Sequence, residues 1–286
     1  MKQIAFVSGK GGTGKSTLVS SLNILVNNKI IADCDVDAPN LHILIKGETL
    51  KETDYYGMKE AVINKDLCIE CEKCIESCRF QAISKNIEII PMKCEGCGVC
   101  VLVCPTDAVK LESVKTGVTS VVKSDRGILS HALLDVGAEG SGKLVMQVRK
   151  NVEDFIENEK WVLIDGSPGI GCVVIASITG TDAVVAVTEP TLSGLSDLER
   201  VLGVVRHFGI PGFVCINKYD LNNEISEQIE KYCVENNFTV IGKIPFDKTI
   251  VKALQEFKTP IEYGDSMTAT AITNIWSRLQ EEMKKL

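Results

Sequence analysis

The stretch Ile4-Ala5-Phe6-Val7-Ser8-Gly9-Lys10-Gly11-Gly12-Thr13-Gly14-Lys15-Ser16-Thr17 decides how the rest of the chain is read. Its first four residues are apolar without alternation, the pattern of a strand buried on both faces. Gly9 to Ser16 then match the phosphate-loop pattern G-x-x-x-x-G-K-S/T, and residues 17–26 carry the periodicity of a helix. Glycines let such a loop curl until its backbone N–H groups converge on phosphate oxygens, and the helix N-terminus adds a favourable dipole. In this pattern Lys15 reaches the β- and γ-phosphates and the Ser16 hydroxyl ligates Mg²⁺, so Gly9, Lys10, Gly11, Gly12, Thr13, Gly14, Lys15, Ser16 and Thr17 are candidate nucleotide contacts. A glycine-rich turn with no ligand is the bland alternative; strand, helix, lysine and serine together weigh against it.

Working outward, short apolar runs recur at residues 30–32, 161–164, 183–187, 212–216 and 239–244, with amphipathic stretches between them. This predicts an α/β fold with a doubly wound, mostly parallel sheet. In such folds ligands bind at the carboxyl ends of the strands. Asp33 and Asp35 end the second run and Asp165 ends the run at 161–164, so acids fall at that edge, able to hold Mg²⁺ or orient water. Asp165 is the Walker-B-like Mg²⁺ candidate beside Ser16 and Asp35. An acid at a strand end that only caps the next turn is the competing reading. Asp37 receives no role.

Between residues 65 and 112 the pattern changes, and eight of the twelve cysteines fall there. Cys68, Cys71, Cys74 and Cys78 recur 26 residues later as Cys94, Cys97, Cys100 and Cys104, the last followed by Pro105. This is the bacterial ferredoxin run, in which three thiolates of one run and the fourth of the other hold each 4Fe–4S cluster. The expected sets are Cys68, Cys71, Cys74 and Cys104 for one cluster, and Cys78, Cys94, Cys97 and Cys100 for the other. The chain is accordingly divided into a P-loop domain of residues 1–62 and 114–286 and an inserted cluster domain of residues 63–113. Arg79 stands where the first copy should have its proline, which bears on the surroundings of a cluster and not on its ligands. Zinc is the main alternative, but two runs at 2-2-3 gaps overfill zinc centres built from ligand pairs. So small a segment cannot bury a sufficient core unaided, and clusters are expected to hold it together. Cys34, Cys172, Cys215 and Cys233 are left over; most are expected to be small buried hydrophobes.

Lys10 adds a second lysine, and the motif then resembles the K-G-G-x-G-K-S/T phosphate loop of the MinD/ParA/nitrogenase-iron-protein group. Asp33-Cys34-Asp35 resembles that group's switch I, and Asp165-Gly166-Ser167-Pro168-Gly169 its switch II. The resemblance implies an ATP-dependent dimer, with itself or a paralogue, in which Lys10 contacts phosphates held by the other subunit and Asp35 positions the attacking water. The catalytic candidates are thus Lys10, Lys15 and Asp35. Asn217-Lys218-Tyr219-Asp220 looks like the guanine-reading box of GTPases, yet MinD-type relatives carry Asn there and bind adenine. Ile244-Pro245-Phe246-Asp247 resembles their segment over adenine. ATP is therefore the expected nucleotide, with GTP as the alternative and with Asn217, Lys218, Pro245 and Asp247 as contacts. Cys172 stands where the nitrogenase iron protein has a cluster cysteine, but its expected partner cysteine is missing.

The whole chain resembles MinD-superfamily ATPases with an inserted ferredoxin domain. The leading expectation is an ATPase whose dimer closure gates electron transfer through two 4Fe–4S clusters to a redox partner protein. An iron–sulfur cluster carrier is the first alternative, although the C-x-x-C of Mrp-type carriers is absent. A positioning ATPase with a redox-sensing module is the second.

Composition narrows the partners. A formal net charge of -7 gives no strong signal for nucleic acid. The opening residues lack a signal-peptide pattern, so the reducing cytoplasm is the expected compartment. No stretch is apolar for long enough to span a membrane. Ile272, Ile275, Trp276, Leu279, Met283 and Leu286 fall near one helical face, read as core-packing, and peripheral membrane contact is not expected because Glu281 and Glu282 dilute the basic face. The three histidines, His42, His131 and His207, are too few and too scattered to suggest a catalytic dyad, and ordinary surface or capping roles are expected.

Overall fold

The computed structural model describes residues 1–264 and 266–286. Its strands are β1 (Lys2–Ser8), β2 (Lys29–Cys34), β3 (Glu48–Tyr55), β4 (Met58–Ile63), β5 (Val109–Val114), β6 (Gly117–Ser124), β7 (Gly127–Leu134), β8 (Trp161–Pro168), β9 (Ala183–Thr188), β10 (Gly212–Asn217) and β11 (Thr239–Ile244). The chain divides into two compact units, the first of residues 1–52, 119–133 and 140–286, the second of residues 53–118 and 134–139.

The first unit is built on a nine-stranded sheet in the order β11-β10-β9-β1-β8-β2-β7-β6-β3. From β11 to β7 every neighbouring pair is parallel. The six apolar runs legible in the sequence all lie within these strands. Every residue of β2 and β9 is buried, as a sheet covered on both faces requires. Helices Lys15–Leu25 and Met267–Met283 bring Leu18, Leu22, Ile272, Ile275, Trp276, Leu279 and Met283 onto Ile4, Phe6, Ile31, Leu163 and Val185. Trp276 meets Trp161 edge to face at 5.1 Å. Burial of each such large side chain contributes about 1.5–3 kcal/mol. The last residue of the predicted face, Leu286, is exposed. No helix among the described residues is long and apolar enough to cross a membrane.

Three sheet strands were not legible. The glycine-bearing stretch of residues 111–144 is expected from its sequence to hold loop, short strand and turn returning the chain to the sheet; β6 and β7 instead each run eight residues, joined by a two-residue connection that makes them an antiparallel pair. Their apolar residues are interleaved with Thr119, Ser120, Ser130 and His131, all buried, which erased the apolar signal. β3 is an edge strand whose side chains are mostly exposed, so it carries no run at all.

The histidines are expected to take ordinary surface or capping roles, but His131 is buried. His42 and His131 stack with ring centroids 5.2 Å apart and planes 16° from parallel. Burial, with the His42 charge adding to it, pushes His131 down to about 4. A lowered folded-state value means the folded protein binds this proton more weakly than the unfolded chain. The stability His131 contributes is therefore complete above pH 6.5 and lost as the pH falls toward 4, a cost on the order of 3 kcal/mol. Urea unfolding at pH 7 and pH 4.5 is expected to show this extra acid loss in the native chain and a smaller one in His131→Phe, which keeps the stack without the titration.

The second unit repeats itself. β4 and β5 pair antiparallel from Met58 with Val114 to Ile63 with Val109, so the two ends of the cysteine-bearing segment are laced together. That ladder is why the compact unit is broader than residues 63–113. Between its strands lie the short helices Lys73–Ser77 and Val99–Leu102. Left-handed residues recur at the repeat spacing: Glu70 (φ 54°) and Gly96 (59°), Glu72 (58°) and Gly98 (79°), Gln81 (52°) and Asp107 (53°). The two copies therefore follow one backbone path, and the first holds glutamates where glycine is the low-strain choice. The apolar cluster is small: Cys74, Ile83 and Ile87 are buried, with Ile63, Cys68, Ile75, Cys78, Ile89 and Cys100 packed against them.

Candidate functional site

At the carboxyl ends of β1, β2 and β8 the structure gathers the phosphate loop and the acids. Parallel register sets Asp33 beside Asp165. The loop turns through Gly14 at φ 89°, where a Cβ would stand 2.2 Å from the Asn217 amide nitrogen, so only glycine fits. That nitrogen donates to the Thr13 carbonyl at 2.7 Å. Asn217 and Lys218, read from sequence as base contacts, are both tied to the loop, since the Lys218 ammonium donates to the Gly12 carbonyl at 3.1 Å.

Lys15 is buried among carboxylates, 2.7 Å from Asp165 Oδ1 and 3.4 Å from Asp35 Oδ2. Burial alone would lower its pKa, but Asp165 and Asp35 outweigh it and hold Lys15 above its ordinary value. Burial raises the Asp35 carboxyl, with Lys15 opposing. Ser16 Oγ lies 3.3 Å from the Lys15 ammonium. Asp165 Oδ2 and Thr13 Oγ1 are buried and have no hydrogen-bond partner among the described residues. A fully buried carboxylate oxygen with no donor, beside a serine hydroxyl and a second carboxylate, fits a hard divalent cation such as Mg²⁺.

Asp33 plays a different part. It is fully buried, and it accepts hydrogen bonds from the backbone N–H groups of Asp35 (3.2 Å), Asn40 (3.2 Å) and Leu41 (3.1 Å), so it braces the turn that carries Asp35. Burial, reinforced by Asp165, pushes its carboxyl up to about 8.

Glu189 was not read as a site residue, although the Thr188-Glu189-Pro190-Thr191 segment after a strand was the available signal. Its carboxylate joins Lys10 (2.8 Å) to Lys218 (3.0 Å), and Lys10 also donates to Ser193 at 3.0 Å. Burial opposes its charge, yet the bonds from Lys10 and Lys218 hold the carboxyl below its usual range. Of the remaining sequence candidates, Asp220 accepts from the Phe246 N–H at 2.6 Å, tying the 217–220 box to the 244–247 segment. Asp247 accepts from Thr249 and Thr268, and Pro245 lines a groove with Tyr219 and Lys243. Thr17 lies in the helix after the loop, where its carbonyl accepts from Ser20 and Ser21.

In the second unit the eight cysteines line two cavities. Cys68, Cys71, Cys74 and Cys104 border one, with Ile63, Ile87 and Val109 among its walls. Cys78, Cys94, Cys97 and Cys100 border the other, with Phe80, Ile83 and Leu111. The fourth cysteine of each run thus faces the cavity of the other run. Backbone N–H groups donate to the sulfurs at matching places, Ala82 to Cys78 and Ala108 to Cys104, each at 3.3 Å, and Ala61 donates to Cys94 at 3.5 Å. Among the described residues no three His, Cys, Asp or Glu side chains converge as ligands of a single ion. The thiol donor set, its N–H to sulfur bonds and the apolar walls fit 4Fe–4S clusters. Cys34, Cys215 and Cys233 are buried, and burial raises the pKa of each, while Cys172 is exposed.

Residues 4–261 match the family described as the CobQ/CobB/MinD/ParA nucleotide-binding domain. The chain belongs to this family. Across its length it is 33% identical over 285 residues to the uncharacterized protein MJ0578 of Methanocaldococcus jannaschii, covering 98% of this chain and 96% of that one. A 43% identical match over 70 residues pairs 24% of this chain with 86% of the pyruvate synthase subunit PorD of Methanothermobacter marburgensis. The iron–sulfur cluster carrier protein of Pyrococcus furiosus is 22% identical over 311 residues, covering 99% of this chain and 87% of that one. Among solved structures, the septum site-determining protein MinD complexed with Mg-ADP, from Pyrococcus horikoshii, shares the fold, with a TM-score of 0.60 at 16% identity over 98% of this chain and 96% of that one. As a MinD/ParA-type P-loop protein, the chain carries its nucleotide apparatus in the first unit and its clustered thiols in the second.

Proposed function

We propose that this MinD/ParA-type chain hydrolyses ATP with Mg²⁺ and uses the nucleotide cycle, through closure of a dimer, to gate electron transfer through two 4Fe–4S clusters to a partner protein. The observation that carries the proposal is the pair of cavities, each bordered by four cysteines drawn from both runs, in one chain with the Lys15–Asp165–Asp35 site. A single zinc ion needs its sulfurs about 2.3 Å from one point; thiols standing around a cavity suit a group several ångströms across.

Lys15, Ser16 and the loop amides would bind and orient the phosphates. Ser16, Asp35 and Asp165 would hold Mg²⁺, which neutralises charge on the phosphates when bound. Asp35 would position the attacking water. Lys10 must leave Glu189 before it can reach a second subunit, so Glu189 sets a threshold for closure. The cysteine cages would each hold a cluster able to store one electron, and the similarity of part of the chain to a pyruvate synthase subunit supports a redox reading.

Anaerobic reductive titration followed by EPR tests the proposal on protein with counted iron, without nucleotide and then with Mg²⁺ and a nonhydrolysable ATP analogue. About eight irons per chain are expected, four for each cluster, with a potential or line shape that responds to the analogue. Iron present but indifferent to nucleotide would remove the gating. A second reading, cluster delivery, is favoured by the similarity to a named iron–sulfur cluster carrier and by the exposure of Cys71 and Cys97. Transfer of iron to an apo-acceptor, accelerated by ATP, would support delivery over gating.

A further inference from the structure

Asp37, which the sequence leaves without a role, stands two residues beyond Asp35, in the turn that Asp33 braces and that the Ala38 N–H closes onto the Asp35 carbonyl at 3.1 Å. Its Oδ1 accepts a hydrogen bond from the Gly140 backbone N–H at 2.8 Å. A Cβ on Gly140 would lie 2.5 Å from that oxygen and 2.6 Å from Cγ2 of the buried Val36. The turn is therefore packed directly onto the Gly140 backbone, and a larger residue would push it away.

Two residues further on, a Cβ on Gly142 would come within 3.2 Å of the Cys172 carbonyl oxygen. Cys172 opens the helix that follows β8 and the Asp165 segment. The two segments whose carboxylates face Lys15 thus both rest on residues 140 and 142. Between them Ser141 caps the helix Gly142–Asn151, accepting from the Leu144 N–H at 3.2 Å. A shift at residue 140 must be taken up either by that capped helix or by the chain before it.

The chain before it is what gives the contact meaning, because residues 134–139 belong to the cysteine-bearing unit and residue 140 begins the return to the nucleotide unit. We propose that residues 140–142 are the junction through which nucleotide state reaches the cysteine-bearing unit, and that Asp37 is the positioning residue that couples the two. The inference rests on the reading of ATP-gated electron transfer and supplies its route. When phosphates draw Lys15 away from Asp35, the turn bearing Asp37 loses one of its anchors, and Gly140 moves with the carboxylate that holds it.

The test uses the full chain, purified anaerobically with its iron, and compares Asp37→Ala with Asp37→Asn, whose amide oxygen still accepts the Gly140 N–H. Amide hydrogen exchange is followed with and without Mg²⁺ and AMP-PNP, alongside EPR of the reduced clusters. In the native chain the analogue is expected to change exchange in residues 53–118 and 134–140 and to alter the EPR signal. Asp37→Ala should reduce both responses at least fivefold, with AMP-PNP affinity kept within about twofold, and Asp37→Asn should restore them. If Asp37→Ala responds as the native chain does, the junction is overturned while gating stands. If the native chain itself shows no response in the cluster unit, gating fails and the junction falls with it.

Discussion

Replacing Lys15 with alanine is expected to cut ATP turnover by orders of magnitude and to destabilise the nucleotide unit in the same stroke. The ammonium lies 2.7 Å from Asp165, whose side chain is fully buried, and 3.4 Å from Asp35, so it is the counter-ion of a carboxylate cluster that also includes Asp33. Removing one partner of a buried ion pair costs about 3–5 kcal/mol, because the charge left behind can neither be solvated nor easily neutralised. The catalytic loss has a separate origin. A preorganised cation aimed at the transferring phosphoryl group is gone, and roughly a hundred- to a thousandfold fall in turnover follows. The two effects separate in a double variant. Adding Asp165→Asn to Lys15→Ala removes the orphaned charge, so thermal stability should recover in part while turnover stays lost. Recovery of turnover in the double variant would show that Lys15 acts only as a structural counter-ion.

Stripping the iron is expected to have the larger structural effect, confined to the second unit. Three buried side chains and the apolar groups around them form its hydrophobic cluster, one of them the Cys74 thiol itself. Ordering a chain costs about 1–2 kcal/mol per residue in backbone entropy, and so small a cluster cannot offset that over several dozen residues. On the two-cluster proposal, cluster ligation would supply the difference, in the way that structural metal sites carry folding free energy. Chelation under oxidising conditions should therefore make residues 53–118 exchange their amides freely and become sensitive to protease. The nucleotide unit, with its own sheet and core, should still bind ATP analogues with affinity changed by less than about threefold. Protection that persists in the second unit after every iron is removed would mean that the thiols are not what holds it together.

What the sequence disclosed and what it hid follow from one physical distinction. Strands β1, β2, β8, β9, β10 and β11 are buried on both faces and announce themselves as unbroken apolar runs. β6 and β7 bury threonine, serine and histidine in place of a plain apolar face, and β3 lies at an edge where charge is tolerated, so none of the three produces a run. The phosphate loop and the cysteine runs were legible because their chemistry depends on spacing along the chain. Glu189 binding Lys10, His42 stacking on His131 and Asp37 holding Gly140 are contacts between residues distant in sequence, and no local pattern marks them. Asn217 shows the limit from the other side. Its motif was visible, but the structure gives its amide to the Thr13 carbonyl, where it braces the loop that would cradle phosphate.

The crossed placement of Cys78 and Cys104, each at the cavity bordered by the other run, makes the duplicated segment indivisible. Excising either half would leave three corners of one cage and one of the other, so no shortened version with a single intact cage can be cut from this chain. Gain or loss of the whole segment is the economical route by which a lineage could acquire or shed it. A damaged ligand in one copy is likewise felt in both halves of the fold.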